Sequence, residues 1–202
     1  MKYHSLLLVA VLGGSATLAQ AQLEIAGTAT GLFDGVSTSY GGLTYNGSTF
    51  DVFSSAGFYA LGGNPGPTNV DNLGSFTLST LPFDYDSPAT TFTVDVTFTD
   101  PTGIAGGGST TFTAPVTGQV VNSSTGGVTI NFTSPPETFT FANPTDHGVF
   151  TLVVNPLSIY PGQTESLTGY GTASFTSVPA PGAIACMALG LIGTLVRRRV
   201  RR

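Results

Sequence analysis

The chain has 202 residues, of which only 8% are charged, and its formal net charge at pH 7 is −5. All six basic residues lie at position 2 or within 197–202, whereas all eleven acidic residues lie between positions 24 and 165. Residues 22–177 therefore carry a formal charge of −11 without a single Lys or Arg, which argues against nucleic acid as a partner because phosphate binding requires cationic side chains.

The N-terminal segment 1–21 has the composition of a secretory signal peptide. Lys2 supplies a positive start, seven strongly apolar residues follow at 6–12, and Ala19 and Ala21 form an A-x-A cleavage site. Seven apolar residues followed by Gly13 and Gly14 are too few to span a bilayer. We therefore expect residues 1–21 to be removed after transfer by the Sec export machinery, and the mature chain to begin at Gln22.

Residues 22–177 show strand periodicity and almost no helical pattern. The alternation is strictest at 91–99, where Phe92, Val94, Val96 and Phe98 share one face and hydroxyl or acidic residues share the other. Similar segments lie at 128–133, 138–141 and 167–175, and weaker ones at 23–31, 43–45, 50–53, 58–61, 74–78, 111–121 and 149–154. Turn residues separate them at 46–47, 62–67, 100–103, 122–127, 135–136, 143–144 and 155–156. This predicts an all-β protein with a single antiparallel β-sandwich domain over 22–177, jelly-roll-like in type.

Part of this domain resembles the choice-of-anchor β-sandwich domains. The resemblance depends on residues 58–76, with Gly62-Gly63-Asn64 and Leu73-Gly74-Ser75-Phe76, and on the long strand that ends in Asp100-Pro101. It implies a surface-displayed domain without supplying a reaction.

Catalytic patterns are weak in the domain. His147 is its only histidine and directly follows Asp146, and no nucleophile motif accompanies the pair, so a solvated histidine in a turn is expected. Asp84 and Asp86 would point the same way on an extended segment, as the carboxylates of a glycosidase or a metal site do, although a solvated acidic loop is the simpler interpretation. We predict that the protein is not an enzyme, with a polysaccharide hydrolase as a remaining alternative.

Calcium is the one cofactor that the acidic loops suggest. Ca²⁺ takes six to eight oxygen ligands, and the candidate ligands are Asp71, Asp84, Asp86 and Asp100, helped by Asn69 and Asn72. No repeat or EF-hand loop supports them, so the expectation is no cofactor, with calcium as an alternative.

Sugar binding is the main alternative to a structural role. Carbohydrate modules stack sugars on exposed aromatic rings. The chain has no Trp, but the aromatic residues that could replace it are Tyr40, Tyr45, Tyr59, Tyr85, Tyr160 and Tyr170.

The C-terminal segment 178–202 has three features in a fixed order. A proline-broken hinge comes first, formed by Val178, Pro179, Ala180, Pro181 and Gly182. An uncharged stretch at 183–196 follows and would cover roughly 21 Å as a helix, less than the roughly 30 Å of a bilayer core; it contains Cys186, the only cysteine. The stop-transfer residues are Arg197, Arg198, Arg199, Arg201 and Arg202, which resist translocation.

This arrangement resembles the PEP-CTERM sorting signal of Gram-negative bacteria. The resemblance implies a transient membrane helix in the inner membrane, then recognition and cleavage near the hinge by an exosortase-type transpeptidase. Ala180 stands where the family usually has glutamate, so the hinge resembles the Val-Pro-Ala-Pro variant of the signal. An uncleaved membrane anchor is the alternative.

Together these features predict an exported protein of the bacterial cell surface or extracellular matrix. We expect a structural or interaction role without catalysis, and a carbohydrate-binding module associated with exopolysaccharide is the alternative.

Overall fold

The computed structural model describes residues 22–62 and 71–177, and it contains only β-strands and loops there. The fifteen strands are β1 (Glu24–Phe33), β2 (Ser39–Tyr40), β3 (Leu43–Asn46), β4 (Ser48–Phe53), β5 (Phe58–Leu61), β6 (Ser75–Leu78), β7 (Phe83–Asp84), β8 (Thr90–Asp100), β9 (Ser109–Asn122), β10 (Thr125–Ile130), β11 (Glu137–Ala142), β12 (Asp146–Val154), β13 (Leu157–Ile159), β14 (Thr164–Ser166) and β15 (Gly169–Ser177). The prediction of an all-β protein is confirmed. Within the described ranges there is no helix with the length and hydropathy that a membrane span requires.

The strands form three antiparallel sheets. The large sheet has the order β13-β10-β9-β8-β1-β4, and β7 also pairs with β9. A second sheet has the order β11-β12-β15-β5, and a third has the order β14-β6-β3-β2. The strand β1 lies between β4 and β8, which are distant in sequence, so the large sheet is built from long-range pairings as well as from hairpins.

Aromatic side chains of β8 join the large sheet to both smaller sheets. The ring of Phe98 lies 4.9 Å from that of Phe139 and 5.0 Å from that of Phe150, both in the second sheet. The ring of Phe92 lies 4.8 Å from that of Phe76 and 4.9 Å from that of Tyr45, both in the third sheet. One face of the large sheet thus packs against the other two.

Two glycines of β1 make room for this core. A Cβ at Gly31 would clash with Cζ of Phe92, and a Cβ at Gly27 would lie 2.7 Å from Cζ of Phe50. Because both approaches are far closer than van der Waals contact, only glycine lets the aromatic rings of the neighbouring strands cross β1.

Most predicted strands coincide with observed strands, but several of their ends differ and the shortest strands were not predicted. The turn predicted at 122–127 is present but shorter, because β9 runs to Asn122 and β10 starts at Thr125, which leaves a two-residue loop. In that loop Oδ1 of Asn122 accepts a hydrogen bond of 2.9 Å from the Ser124 N–H and closes the turn locally. The strands β2, β7, β13 and β14 have only two or three residues each and show no readable alternation.

Candidate functional site

Asp146 and His147 begin β12 and do not act as a pair. His147 is exposed, whereas Asp146 is half-buried, and consecutive strand residues point to opposite faces of a sheet. His147 lies in a strand rather than in the expected turn, since it pairs with Ala142 and Thr176. The arrangement offers no hydrogen bond between the carboxylate and the imidazole.

Asp84 and Asp86 are both exposed and flank the fully buried Tyr85. Oδ1 of Asp84 accepts a hydrogen bond of 2.9 Å from the Asp86 N–H, and Oδ1 of Asp86 accepts one of 3.0 Å from the Gly118 N–H. The Tyr85 hydroxyl donates to the Gly41 carbonyl at 2.6 Å, and burial raises the pKa of Tyr85 to about 12. The Asp84 carboxylate therefore closes the turn after β7, and the Asp86 carboxylate holds that turn against β9.

The four calcium candidates lie in three separate places. Asp84 and Asp86 lie beside residues 118–119 of β9, whereas Asp100 ends β8 at the opposite end of the large sheet, roughly 30 to 40 Å away at the rise of a strand. Asp71 lies in another loop, where its Oδ1 accepts a hydrogen bond of 3.1 Å from the Asp51 N–H. No group of three or more metal-ligating side chains occurs in residues 22–62 and 71–177.

A cleft of about 400 Å³ lies near both ends of the domain, because Gln22 and Asp146 line it and Asp146 pairs with Ser177. Its lining includes the carboxylate residues Glu24, Asp100 and Asp146 and the exposed ring of Phe53. Asn143 shapes one wall, because its Oδ1 accepts hydrogen bonds from the N–H groups of Thr145 and Asp146. Three acids in one open cleft make it unsuited to an anionic ligand.

Only two of the six tyrosines proposed for sugar stacking are exposed. Tyr45, Tyr59 and Tyr85 are buried, and Tyr40 packs against the core. Burial raises the pKa of Tyr45 and of Tyr59 above the usual value. Tyr160 is 60% exposed and Tyr170 is 51% exposed, so only these two of the six tyrosines present much of their surface to solvent.

The outer face of the large sheet is covered with hydroxyl groups. Its exposed hydroxyl residues are Thr28, Thr30, Thr49, Thr91, Thr97, Ser109, Thr111, Thr113, Thr117, Thr129 and Ser158. Several are paired across strands, such as Thr97 with Ser109 at 3.0 Å and Thr129 with Ser158 at 3.1 Å. The same face also carries acids, including Asp95, whose Oδ1 accepts a hydrogen bond from Thr111.

The outer face of the second sheet differs in carrying no carboxylate. Its members are Phe58 and Ala60 of β5, Tyr170, Thr172, Ser174 and Thr176 of β15, His147, Val149, Thr151 and Val153 of β12, and Thr138, Thr140 and Ala142 of β11. We call this set the carboxylate-free face. All eleven acids of the chain lie in the described ranges, and the two in this sheet, Glu137 and Asp146, alternate with the face and point away from it. Phe58 is 65% exposed there and was not among the predicted aromatic candidates.

Several predicted segments lie outside the described residues. They are the signal peptide at 1–21, the sorting segment at 178–202 with Cys186, and Gly63, Asn64 and Asn69, which follow β5 in the sequence. No family model, curated protein or solved structure matches the chain.

Proposed function

We propose that the chain is an exported bacterial protein of the cell surface or extracellular matrix, sorted by its C-terminal segment 178–202 and acting by binding rather than by catalysis. The observation that carries this proposal is the charge distribution along the sequence. Cationic, apolar ends flank a domain at 22–177 that has no Lys or Arg, as expected when one end directs export and the other stops transfer.

The position of the two domain ends supports the same proposal. Gln22 lines the cleft together with Asp146, and Asp146 pairs with Ser177 at the end of β15. The proposed cleavage site after Ala21 and the hinge that starts at Val178 therefore adjoin one end of the domain. A domain held in transit by either segment would present its opposite end and both outer faces to the surroundings.

We also infer that the three sheets form one jelly-roll-like β-sandwich. The ring contacts from β8 to both smaller sheets support a single core between two layers. A non-catalytic role is supported by the placement of Asp84, Asp86, Asp146 and His147, which are either bonded within loops or directed apart.

Two hinge variants and one tail variant test the sorting proposal in a producing cell. Replacing Pro179 and Pro181 with Ala should abolish processing, whereas Ala180→Glu, which introduces the usual family residue, should preserve it. Replacing the five terminal arginines with Ser should remove inner-membrane retention during transit. Equal surface yields for wild type and all three variants would contradict the proposal.

Carbohydrate binding is the second candidate for the domain's role, and the exposure of Tyr170 favours it. It would associate the protein with exopolysaccharide after processing. A hydrolase receives no comparable support from the described residues.

A further inference from the structure

We propose that Phe58 and Tyr170 form a stacking platform for a neutral polysaccharide on the carboxylate-free face. This inference rests on the proposed function, because an exported protein of the cell surface or matrix would meet extracellular polymers.

The register brings the two rings together. Phe58 pairs with Thr172 and Tyr170 pairs with Ala60 across β5 and β15, so the two aromatic residues are diagonal neighbours with Cα atoms about 7 to 8 Å apart. Ala60 is short and leaves the ring of Tyr170 open toward solvent. Adjacent sugar units of one chain can therefore contact both rings.

A rigid turn holds Phe58 in place. Residues 55–58 close on themselves, because the Phe58 N–H donates to the Ser55 carbonyl at 3.0 Å and the Ser55 N–H donates to the Phe58 carbonyl at 2.7 Å. Ala56 and Gly57 have φ values of 53° and 83°, as a type I′ turn requires. The Gly57 carbonyl accepts a hydrogen bond of 2.9 Å from the Ala173 N–H and ties the turn to β15. The backbone that carries Phe58 is thus fixed before any ligand arrives, which lowers the entropic cost of binding.

Hydroxyl groups lie beside the rings. Thr172 lies between Phe58 and Thr151, and the hydroxyls of Thr151 and Thr172 are 3.0 Å apart. A pyranose presents an apolar C–H face and a rim of hydroxyls, so a ring next to a hydroxyl pair matches both parts.

Charge selects a neutral ligand. The domain carries −11 without Lys or Arg, so an anionic polymer would be repelled overall and would find no Lys or Arg to bind. This face combines exposed aromatic rings with an absence of carboxylates, whereas the outer face of the large sheet carries Asp95.

The size of the face argues against a second protein chain as the occupant. The carboxylate-free face has thirteen residues, two on β5, four on β15, four on β12 and three on β11. Each partner in a stable protein complex contributes about 20 to 30 residues. A short stretch of a glycan fits the available area better.

The test uses the full-length chain, purified in a zwitterionic detergent without a sugar headgroup. Its retardation is measured in native gels that contain a β-glucan, a mannan or a galactan, with polygalacturonate as the anionic comparison. We expect retardation by at least one neutral polymer and none by polygalacturonate. Tyr170→Ala and Phe58→Ala should each weaken that binding at least tenfold, whereas Tyr170→Phe, which keeps the ring, should bind within about threefold of wild type.

Tyr160→Ala is the matched control, because Tyr160 is similarly exposed but packs over Gly127 on the large sheet. It should change binding less than twofold. Absence of retardation by every neutral polymer, or an equal loss in Tyr160→Ala and Tyr170→Ala, would overturn the platform. A protein that is correctly exported yet binds no glycan refutes only this inference, whereas a protein retained in the cytosol refutes the proposed function. Thermal unfolding of each variant shows whether a loss of binding reflects loss of the fold.

Discussion

Phe92 is the side chain whose removal should damage the domain most clearly. It is fully buried on β8, and its ring lies 5.1 Å from that of Phe33, 4.9 Å from that of Tyr45 and 4.8 Å from that of Phe76. These rings come from strands of both the large and the third sheet, so Phe92 joins the two.

Phe92→Ala should therefore lower the free energy of unfolding by about 4 to 5 kcal/mol. Truncating a buried Phe to Ala costs about 3 to 5 kcal/mol, and the loss of three aromatic ring contacts places this site in the upper half of that range. Such a loss is a large share of the roughly 5 to 15 kcal/mol that stabilises a typical domain.

Thr97→Ala is the matched control, because Thr97 lies on the same strand but is exposed on the outer face. It should cost less than about 1 kcal/mol. Urea unfolding followed by tyrosine fluorescence measures both variants, since the chain has seven Tyr and no Trp. A cost for Phe92→Ala of less than half the expected value, or equal costs for the two variants, would refute the assignment of faces on β8.

Three further predictions concern polar groups. Asn72→Ala should lower the free energy of unfolding in urea by about 2 kcal/mol, because it removes the side-chain acceptor that lies 2.8 Å from the buried Gly74 N–H. Asn122→Ala, at an exposed turn residue, should lower it by less than half as much. Equal losses for the two variants would contradict the prediction. Burial raises the pKa of Tyr45 and of Tyr59, so the two neutral phenols stabilise the fold fully below pH 10. As the pH rises to 11, the free energy of unfolding should fall by about 3 kcal/mol for the two together, because only the unfolded chain ionises. The double change of Tyr45 and Tyr59 to Phe should flatten this decline, and an unchanged decline would contradict the assignment. Raising NaCl from 10 to about 500 mM should raise the melting temperature, because salt screens repulsion among eleven carboxylates that have no Lys or Arg partner in the domain; a fall in melting temperature would contradict this.

The sequence was informative wherever one strand face is buried. Strict alternation at 91–99 located β8 and its inner face, since a buried face forces apolar residues to every second position. The same rule could not locate β2 or β7, because two residues do not define a period. The turn at 122–127 was assigned too long because two glycines resemble a loop, yet Gly126 and Gly127 pair with residues of β9.

The candidate surface was the least predictable part. Exposure of an aromatic ring depends on which strand lies next to it, and no local pattern separates the buried Tyr59 from the exposed Phe58 before β5 is paired with β15. The absence of acids from one face is likewise visible only after the register assigns Glu137 and Asp146 to the other side.

The intact mass of the protein in fractionated producing cells tests the proposed export and sorting most directly. We expect a species in the surface or extracellular fraction that begins at Gln22 and ends close to the Pro179–Pro181 motif. A full-length chain in the cytosolic fraction, with both ends intact, would contradict this expectation.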